Sequence, residues 1–314
     1  MKNILKNQEI VHKKFGEGTI LNYDGKNIVV DFKDGCKTLE YQMVIDKGII
    51  VFKDKRTTEA INDYNRAKKE EQEKKEKEVL FKMRLEEEHR KVIEKEKDKC
   101  NREKLLAILH EFGFEGFLHT TELENFKIIV SSGFLYSRIE LEKSKITFND
   151  SADHEVLDKT RDDVKSCCRF YYYFKTPTNN KAGYSHPVII VFDENLIFEE
   201  GCEFTAQNAA KTYSSEKTTD AKEALSFSWD GIFERGGYSY SKYYETDENG
   251  YQTKKSKDLI TGMRNAEFLV HHKVGIDKIH KIYFKNRLDL VEATEFCPKT
   301  LVEKFCEDRS KFDE

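Results

Sequence analysis

Residues 49 to 112 contain neither glycine nor proline, and from Ala67 to Cys100 Lys and Glu dominate the sequence. Lys, Glu, Gln and Arg are good helix formers, and here Glu and Lys recur three and four positions apart. The stretch is therefore expected to be one long solvated helix. Thr57 or Thr58, just before Glu59, is the expected N-cap. If about 50 residues are helical, the rod is roughly 75 Å long. A coiled coil needs apolar a and d positions over several heptads, and none occurs between Ala67 and Val79. Only Val79, Leu80, Met83, Leu85, Val92 and Ile93 offer a short seam, so a single charged spacer is expected rather than a dimerisation zipper. The spacer divides the chain into a first domain (1–55), the strut itself (56–104) and a second domain (105–314). Leu105, Leu106, Ile108 and Leu109 would dock its last turns onto that second domain.

Ahead of the helix the sequence reads as β. Glu9 to His12, Thr19 to Tyr23, Ile28 to Phe32, Lys37 to Leu39 and Ile49 to Phe52 are short apolar-rich runs. Phe15-Gly16-Glu17-Gly18, Asp24-Gly25-Lys26-Asn27 and Lys33-Asp34-Gly35 separate them with the residues tight turns use. Strands this short, packed into so little chain, predict a small closed barrel, since an open sheet would leave its edges and apolar face exposed. The pattern VHKKFGEGTI…IVVDFKDGCKTL resembles the SH3-like or Tudor-like barrel of bacterial repair helicases and CarD-type transcription factors. That resemblance implies a docking module for a partner protein and no catalysis.

The 54 basic and 58 acidic residues, with pI near 6.2, create no global field for a polyanion, so any nucleic acid must be held locally. No run is long and apolar enough to span a membrane, and the first residues have no continuous apolar core of a leader, which predicts a cytoplasmic protein. The seven cysteines form no CxxC pair, and Cys167 and Cys168 are adjacent. Reduced thiols and no metal site are expected.

The second domain carries the candidate chemistry. Phe117-Leu118-His119-Thr120-Thr121 reads as a strand entering an amphipathic helix, Glu122 to Ser132, that Gly133 ends. His119 and Thr121 would then project at a helix N-terminus, where imidazole, hydroxyl and amide groups can hold a ribose or phosphate. SADHEVLDKTRDD is a candidate helix bearing Arg161. In Cys167 to Phe174, alternation sets Phe170, Tyr172 and Phe174 on one face and Tyr171 and Tyr173 on the other, where phenols could stack on a flat ring or simply fill a core. Lys175 to Asn180 leaves that strand as a polar loop. Phe204 to Ala210, FTAQNAA, reads as a strand running into a helix. Trp229 to Thr261 is long, polar and tyrosine-rich, and is expected to be a substrate loop. Within it Lys254, Lys255 and Lys257 interleave with Tyr240, Tyr243, Tyr244 and Tyr251, the charge and stacking types that single-stranded nucleic acid requires. Glu267 heads the apolar strand Phe268, Leu269, Val270.

Taken together, HTTELENFKIIVSSGFL, RFYYYFKTPTNN, FTAQNAA and RNAEFLV resemble, in order and spacing, the DarT family of toxins that transfer ADP-ribose from NAD onto bases of single-stranded DNA. The similarity spans most of residues 117 to 285. It implies an α+β chain whose second domain is an ADP-ribosyltransferase fold of two facing mixed sheets. Carried over, Glu267 is the catalytic glutamate and Arg161 the catalytic arginine, with Arg169 a rival for that role. His119, Thr121, Tyr171 and Asn208 would contact NAD, and Arg169, Tyr251, Lys254 and Lys255 would contact the acceptor strand. NAD is then a co-substrate, and an antitoxin partner and a place in a toxin–antitoxin or phage-defence system follow from the family alone. FTAQNAA lacks the usual Asp-Gly pair, and many relatives have no barrel and rod in front.

The chemistry is coherent with those residues. Breaking the nicotinamide–ribose bond builds an oxocarbenium-like sugar, which a carboxylate near the 2′-hydroxyl stabilises. The same carboxylate can act as general base on the attacking nitrogen. No GxGxxG or Walker sequence is present. Two other readings remain at this point: the same transfer onto RNA or protein, and a non-catalytic interaction protein.

Overall fold

The computed structural model describes residues 2–149, 160–176, 183–210 and 217–312. It divides into two compact units, Met1–Val92 and Ile93–Glu314.

In the first unit the turn chemistry places the strands. β1 (Glu9–His12), β2 (Gly16–Tyr23), β3 (Asn27–Phe32), β4 (Gly35–Glu40) and β5 (Ile50–Phe52) form an antiparallel sheet in the order β4-β3-β2-β1-β5. At the β2–β3 turn Asp24 Oδ1 accepts the N–H of Lys26 at 2.8 Å and of Asn27 at 2.6 Å. Gly25 takes the left-handed φ of 108° that a side chain would oppose. The expected closed barrel is not formed, because β4 and β5 stand at opposite ends of the sheet. Its apolar face is covered in another way. A helix missed in the sequence, Tyr41–Asp46, lies between β4 and β5 and buries Tyr41 and Val44 with Ile10, Ile20, Ile28, Val30 and Phe52.

The charged stretch is one helix of 57 residues, Lys55–Glu111. Its cap is Asp54 rather than Thr57 or Thr58. The Asp54 carboxylate accepts the N–H of Arg56 at 3.1 Å and of Thr57 at 3.3 Å, two donors that no hydroxyl of Thr57 itself can reach. Glu-to-Lys pairs at i,i+4 line the exposed shaft, as at Glu71–Lys75 (2.6 Å) and Glu87–Lys91 (2.9 Å). Val79, Leu80, Met83, Leu85, Val92 and Ile93 remain exposed. The helix continues past the expected end of the spacer, and Leu105 and Leu109 are fully buried in the core of the second unit.

The second unit is built on β6 (Phe117–Glu122), β7 (Phe134–Tyr136), β8 (Cys167–Tyr171), β9 (Pro187–Phe192), β10 (Glu203–Thr205), β11 (Lys217–Thr218), β12 (Glu267–His271), β13 (Lys273–Gly275), β14 (Ile279–Phe284) and β15 (Phe305–Glu307). β13 and β7 pair by themselves. The other eight form one sheet, β11-β10-β12-β8-β6-β9-β14-β15, antiparallel except for β14–β15. This corrects the expectation of two facing sheets. A trace of division remains, since the two four-stranded halves meet through a single register pair, Leu118↔Tyr171. Phe117, Phe126, Phe170, Tyr172, Phe192, Phe204, Phe268 and Phe284 fill the core, with the Phe117 and Phe268 rings stacked at 3.9 Å.

Several local expectations also change. Strand β8 ends at Tyr171, so the predicted alternation breaks: Phe174 leaves the face of Phe170 and Tyr172 and joins Leu118, Ile189, Val191 and Tyr283. Trp229 to Thr261 is loop only over 234–253. It holds the helices Trp229–Phe233 and Lys254–Arg264, which give Trp229, Ile232, Phe233, Ile260 and Met263 to the core. The second helix starts where Thr253 Oγ1 accepts the Ser256 N–H at 3.1 Å. Its apolar positions are sparse among lysines, which hid them. After β10, Gln207 to Ala210 form turns rather than a helix. The candidate helix bearing Arg161 falls at 151–159 outside the described residues, as does 177–180 of the polar loop. Arg161 itself stands at the N-cap of a short helix, Asp162–Lys165. Among the described residues, no helix is long and apolar enough to cross a membrane.

Candidate active site

Glu267 is the first residue of β12 and is fully buried. A carboxylate survives such a place only with partners for its charge. Phe268 turns into the core, and alternation sends Glu267 and Leu269 to the opposite face. There β8 supplies the counter-charge. Arg169 stands in register with Leu269, and Tyr171 with Glu267. Arg169 Nε donates to Glu267 Oε1 at 2.9 Å, and its Nη2 lies 2.6 Å from the same oxygen. The other oxygen, Oε2, accepts the backbone N–H of Ala209 at 2.7 Å. Burial raises the pKa of Glu267, and the Arg169 guanidinium and the Ala209 N–H oppose that rise. Burial also works against the charge on Arg169, but the adjacent Glu267 outweighs it and holds the guanidinium above its ordinary value.

The backbone of Glu267 is fixed just as firmly. Its N–H donates to Thr205 Oγ1 at 2.9 Å, and the Tyr172 hydroxyl donates to its carbonyl at 3.1 Å. Asn208 Oδ1 accepts from Arg169 Nη2 at 3.5 Å and from the Ala210 N–H at 2.8 Å, which ties the 205–210 segment to the ion pair.

His119 joins the site through the backbone of the same arginine, with Nδ1 3.1 Å from the Arg169 carbonyl oxygen. A carbonyl only accepts, so Nδ1 carries the proton and Nε2 is left as an acceptor. Burial holds the His119 pKa below the usual imidazole range, more strongly than the hydrogen bond to Arg169 raises it. His119 and Thr121 line a cavity of about 180 Å³ together with Asn125, Tyr136, Phe148 and Asn149. That is smaller than the roughly 300–1,000 Å³ of sites that enclose a whole drug-sized ligand, so it has room for a fragment of that size only.

The structure thus brings together Glu267, Arg169 and Asn208, with Tyr171 beside Glu267 in register and His119 one hydrogen bond away. It does not bring in Arg161. That side chain is 46% exposed, with Nε and Nη2 at 3.1 and 3.2 Å from the two oxygens of Asp163, two residues further along. The arginine against Glu267 is Arg169, because β8 and not the short helix before it pairs with β12. Lys254 and Lys255 occupy the exposed first turn of their helix, and Tyr251 is 73% exposed. Among the described residues no hydrogen bond or ion pair joins them to the Glu267 cluster. Sequence reasoning missed Thr205, Ala209 and Tyr172. Thr205 lies in the FTAQNAA stretch already singled out, but the contribution of Ala209 is a backbone N–H, which leaves no mark in a sequence.

The family to which the residues carrying this cluster belong is one of NAD-dependent ADP-ribosyltransferases. Residues 118–302 match the family described as "ssDNA thymidine ADP-ribosyltransferase, DarT". They make up more than half of the chain, which therefore belongs to the DarT family. This removes the non-catalytic reading. No curated protein matches. Among solved structures, the chain is similar to Thermus sp. 2.9 DarT in complex with ADP-ribosylated ssDNA, with 14% identity over 63% of this chain and 95% of that one and a TM-score of 0.48. For the same protein in complex with NAD+ the identity is 13%, the coverage 63% and 96%, and the TM-score 0.45. For Thermosipho africanus DarTG in complex with ADP-ribose the identity is 16%, the coverage 63% and 51%, and the TM-score 0.46.

Proposed function

We propose that this chain transfers ADP-ribose from NAD to a thymine of single-stranded DNA, with Glu267 as the catalytic carboxylate and Arg169 as the residue that holds it. The observation that carries this reading is the pairing of a fully buried Glu267 with Arg169 and the Ala209 N–H at the head of β12. A donor lattice that takes both carboxylate oxygens pre-orients the group before substrate arrives. NAD enters with one end in the His119–Thr121 cavity, where His119 Nε2 accepts a ribose hydroxyl. The C1′–nicotinamide bond breaks, and the electron pair leaves with nicotinamide. The acceptor nitrogen then attacks C1′ and gives up its proton to the carboxylate. In thymine the ring nitrogen with a proton to lose is N3. Glu267 is fully buried, so a neighbour must move aside before that proton can reach it. Arg169, whose side chain is 32% exposed, is the one with room to swing.

The family supports a toxin role with a neutralising partner protein, and Arg161, Tyr251, Lys254 and Lys255 are assigned to the path of the acceptor strand. The first unit, with its sheet and strut, is assigned to docking. The test is incubation with labelled NAD and equimolar single-stranded DNA, the same DNA without thymine, RNA and bulk protein, beside Glu267→Gln. Label confined to thymine-containing DNA and lost in the variant is the expected result. Label on RNA or protein instead would overturn the choice of acceptor. Intact NAD in every arm would overturn the transferase reading, and label that persists in Glu267→Gln would overturn the assignment of Glu267.

A further inference from the structure

The strands that carry Arg169 and Glu267 carry a second polar cluster at their other ends. His271 stands in register with Cys167, four residues from Glu267 along β12, or about 13 Å of strand. Cys167 Sγ lies 3.5 Å from His271 Nδ1, and His271 Nε2 lies 3.4 Å from Glu203 Oε1 on β10. One ligand atom from each of the three lies within 4.8 Å of the other two. Cys167 is 4% exposed, and the Glu203 side chain 12%. We propose that Cys167, Glu203 and His271 form a binding site for a thiophilic divalent cation of the zinc type, with its fourth position open to water. This inference does not rest on the transferase reading.

Thiolate, imidazole and carboxylate are the donors zinc selects. Bonds of about 2.3 Å to sulfur and about 2.0–2.2 Å to nitrogen and oxygen put tetrahedral ligand atoms roughly 3.3–3.8 Å apart. The Cys167 Sγ–His271 Nδ1 separation already falls in that range, while Glu203 approaches the other ring nitrogen. One imidazole nitrogen ligates, so a modest turn of the His271 ring and a closure of about 1 Å complete the set. Three adjacent strands supply one ligand each, which gives the site a rigid frame. A nucleophilic relay is the other chemistry such a row suggests, but burial pushes the Cys167 thiol up to about 11, too high for a working thiolate without a metal.

Lys217 is the competitor. Its ammonium lies 2.7 Å from Glu203 Oε2 and 3.0 Å from Asp163 Oδ2, and so provides the cation that a buried carboxylate needs. When the metal takes Glu203, Lys217 keeps Asp163. The thiol proton leaves to solvent, and thiolate plus carboxylate balance the two charges of the metal.

The experiment is a titration of the full chain, reduced and stripped of metal, with Co2+. The expected result is one equivalent bound, with a thiolate-to-cobalt charge-transfer band and tetrahedral ligand-field bands that Zn2+ abolishes. Cys167→Ser and His271→Ala should each weaken binding at least about tenfold. Lys217→Met should tighten it, and Cys36→Ser, at an exposed thiol, should leave it unchanged. Cys167 is buried, so His271→Ala, at a ring 36% exposed, keeps the test valid if the serine variant fails to fold. No stoichiometric binding, an octahedral spectrum without the thiolate band, or a band that persists in both ligand variants would overturn the site.

Discussion

Arg169 and Glu267 meet diagonally across the β8–β12 ladder, with Nη2 2.6 Å from Oε1, although neither is the other's register partner. Diagonal neighbours on one face lie within reach of a long side chain. The pair therefore depends on the register of two strands nearly a hundred residues apart in sequence, and a slip of one residue would separate it.

Removing Arg169 leaves Glu267 buried beside the Ala209 N–H alone. Breaking a fully buried pair costs about 3–5 kcal/mol. Arg169 is one-third exposed, so Arg169→Ala is expected to cost about 2 kcal/mol after screening, and Arg161→Ala, at an exposed pair, less than about 1 kcal/mol. Urea unfolding separates the two. In activity, Glu267→Gln should lose about 10²-fold or more in kcat, the size of a lost acid–base group. Equal stability losses for the two arginine variants would refute the assignment of Arg169.

The pH dependence of stability has opposite signs at Glu267 and His119. Glu267 has a raised pKa, so between the ordinary carboxylate value and its own the folded protein keeps a proton that the unfolded chain has lost, and stability falls as pH rises through that window. His119 has a lowered pKa, so below the ordinary imidazole value the unfolded chain takes a proton that the folded protein refuses. Stability there falls as pH falls. Urea midpoints across a pH series should lose the first slope in Glu267→Gln and the second in His119→Asn. Turnover should rise with pH through the raised pKa of Glu267, because the base must be ionised.

Thr205 is fully buried and acts through Glu267, whose N–H it accepts at 2.9 Å. Thr205→Val keeps the shape and removes the acceptor, leaving a buried N–H unpaired at a cost of about 1–3 kcal/mol. A positioning role predicts a fall in kcat with KM for NAD little changed, and Thr205→Ser should restore most of it. A loss of stability with normal kcat would make the residue merely structural.

How far the sequence reached depends on the range of the interaction concerned. Asp24-Gly25-Lys26-Asn27 could be read as a turn because its hydrogen bonds run between residues two and three apart. The charged helix was legible for the same reason. Glu267 at the head of Phe268-Leu269-Val270 was legible as strand alternation. Which of Arg161 and Arg169 stands against Glu267 was not, since it follows only from the pairing of β8 with β12. The helix Lys254–Arg264 was hidden because lysine and threonine outnumber its buried Ile260 and Met263. Closure of the first sheet was over-predicted, because the apolar face that seemed to require it is covered by Tyr41 and Val44 instead.

Two glycines test the approach to the site from the long helix. Gly116 precedes β6 at φ 130°, and a Cβ there would sit inside contact distance of the Phe192 carbonyl oxygen and a Val191 methyl, both on the paired strand β9. Gly133 ends its helix at φ 78° with open space around it. Gly133→Ala carries the left-handed penalty of about 1–2 kcal/mol alone. Gly116→Ala adds an overlap with backbone that cannot move without shifting the β6–β9 ladder, and with it His119. It is expected to cost more than about 3 kcal/mol. It should also raise KM for NAD in whatever fraction folds, whereas Gly133→Ala should leave KM alone. Similar thermal midpoints for the two variants would mean that β6 tolerates displacement and that the placement of His119 is not set by this close approach.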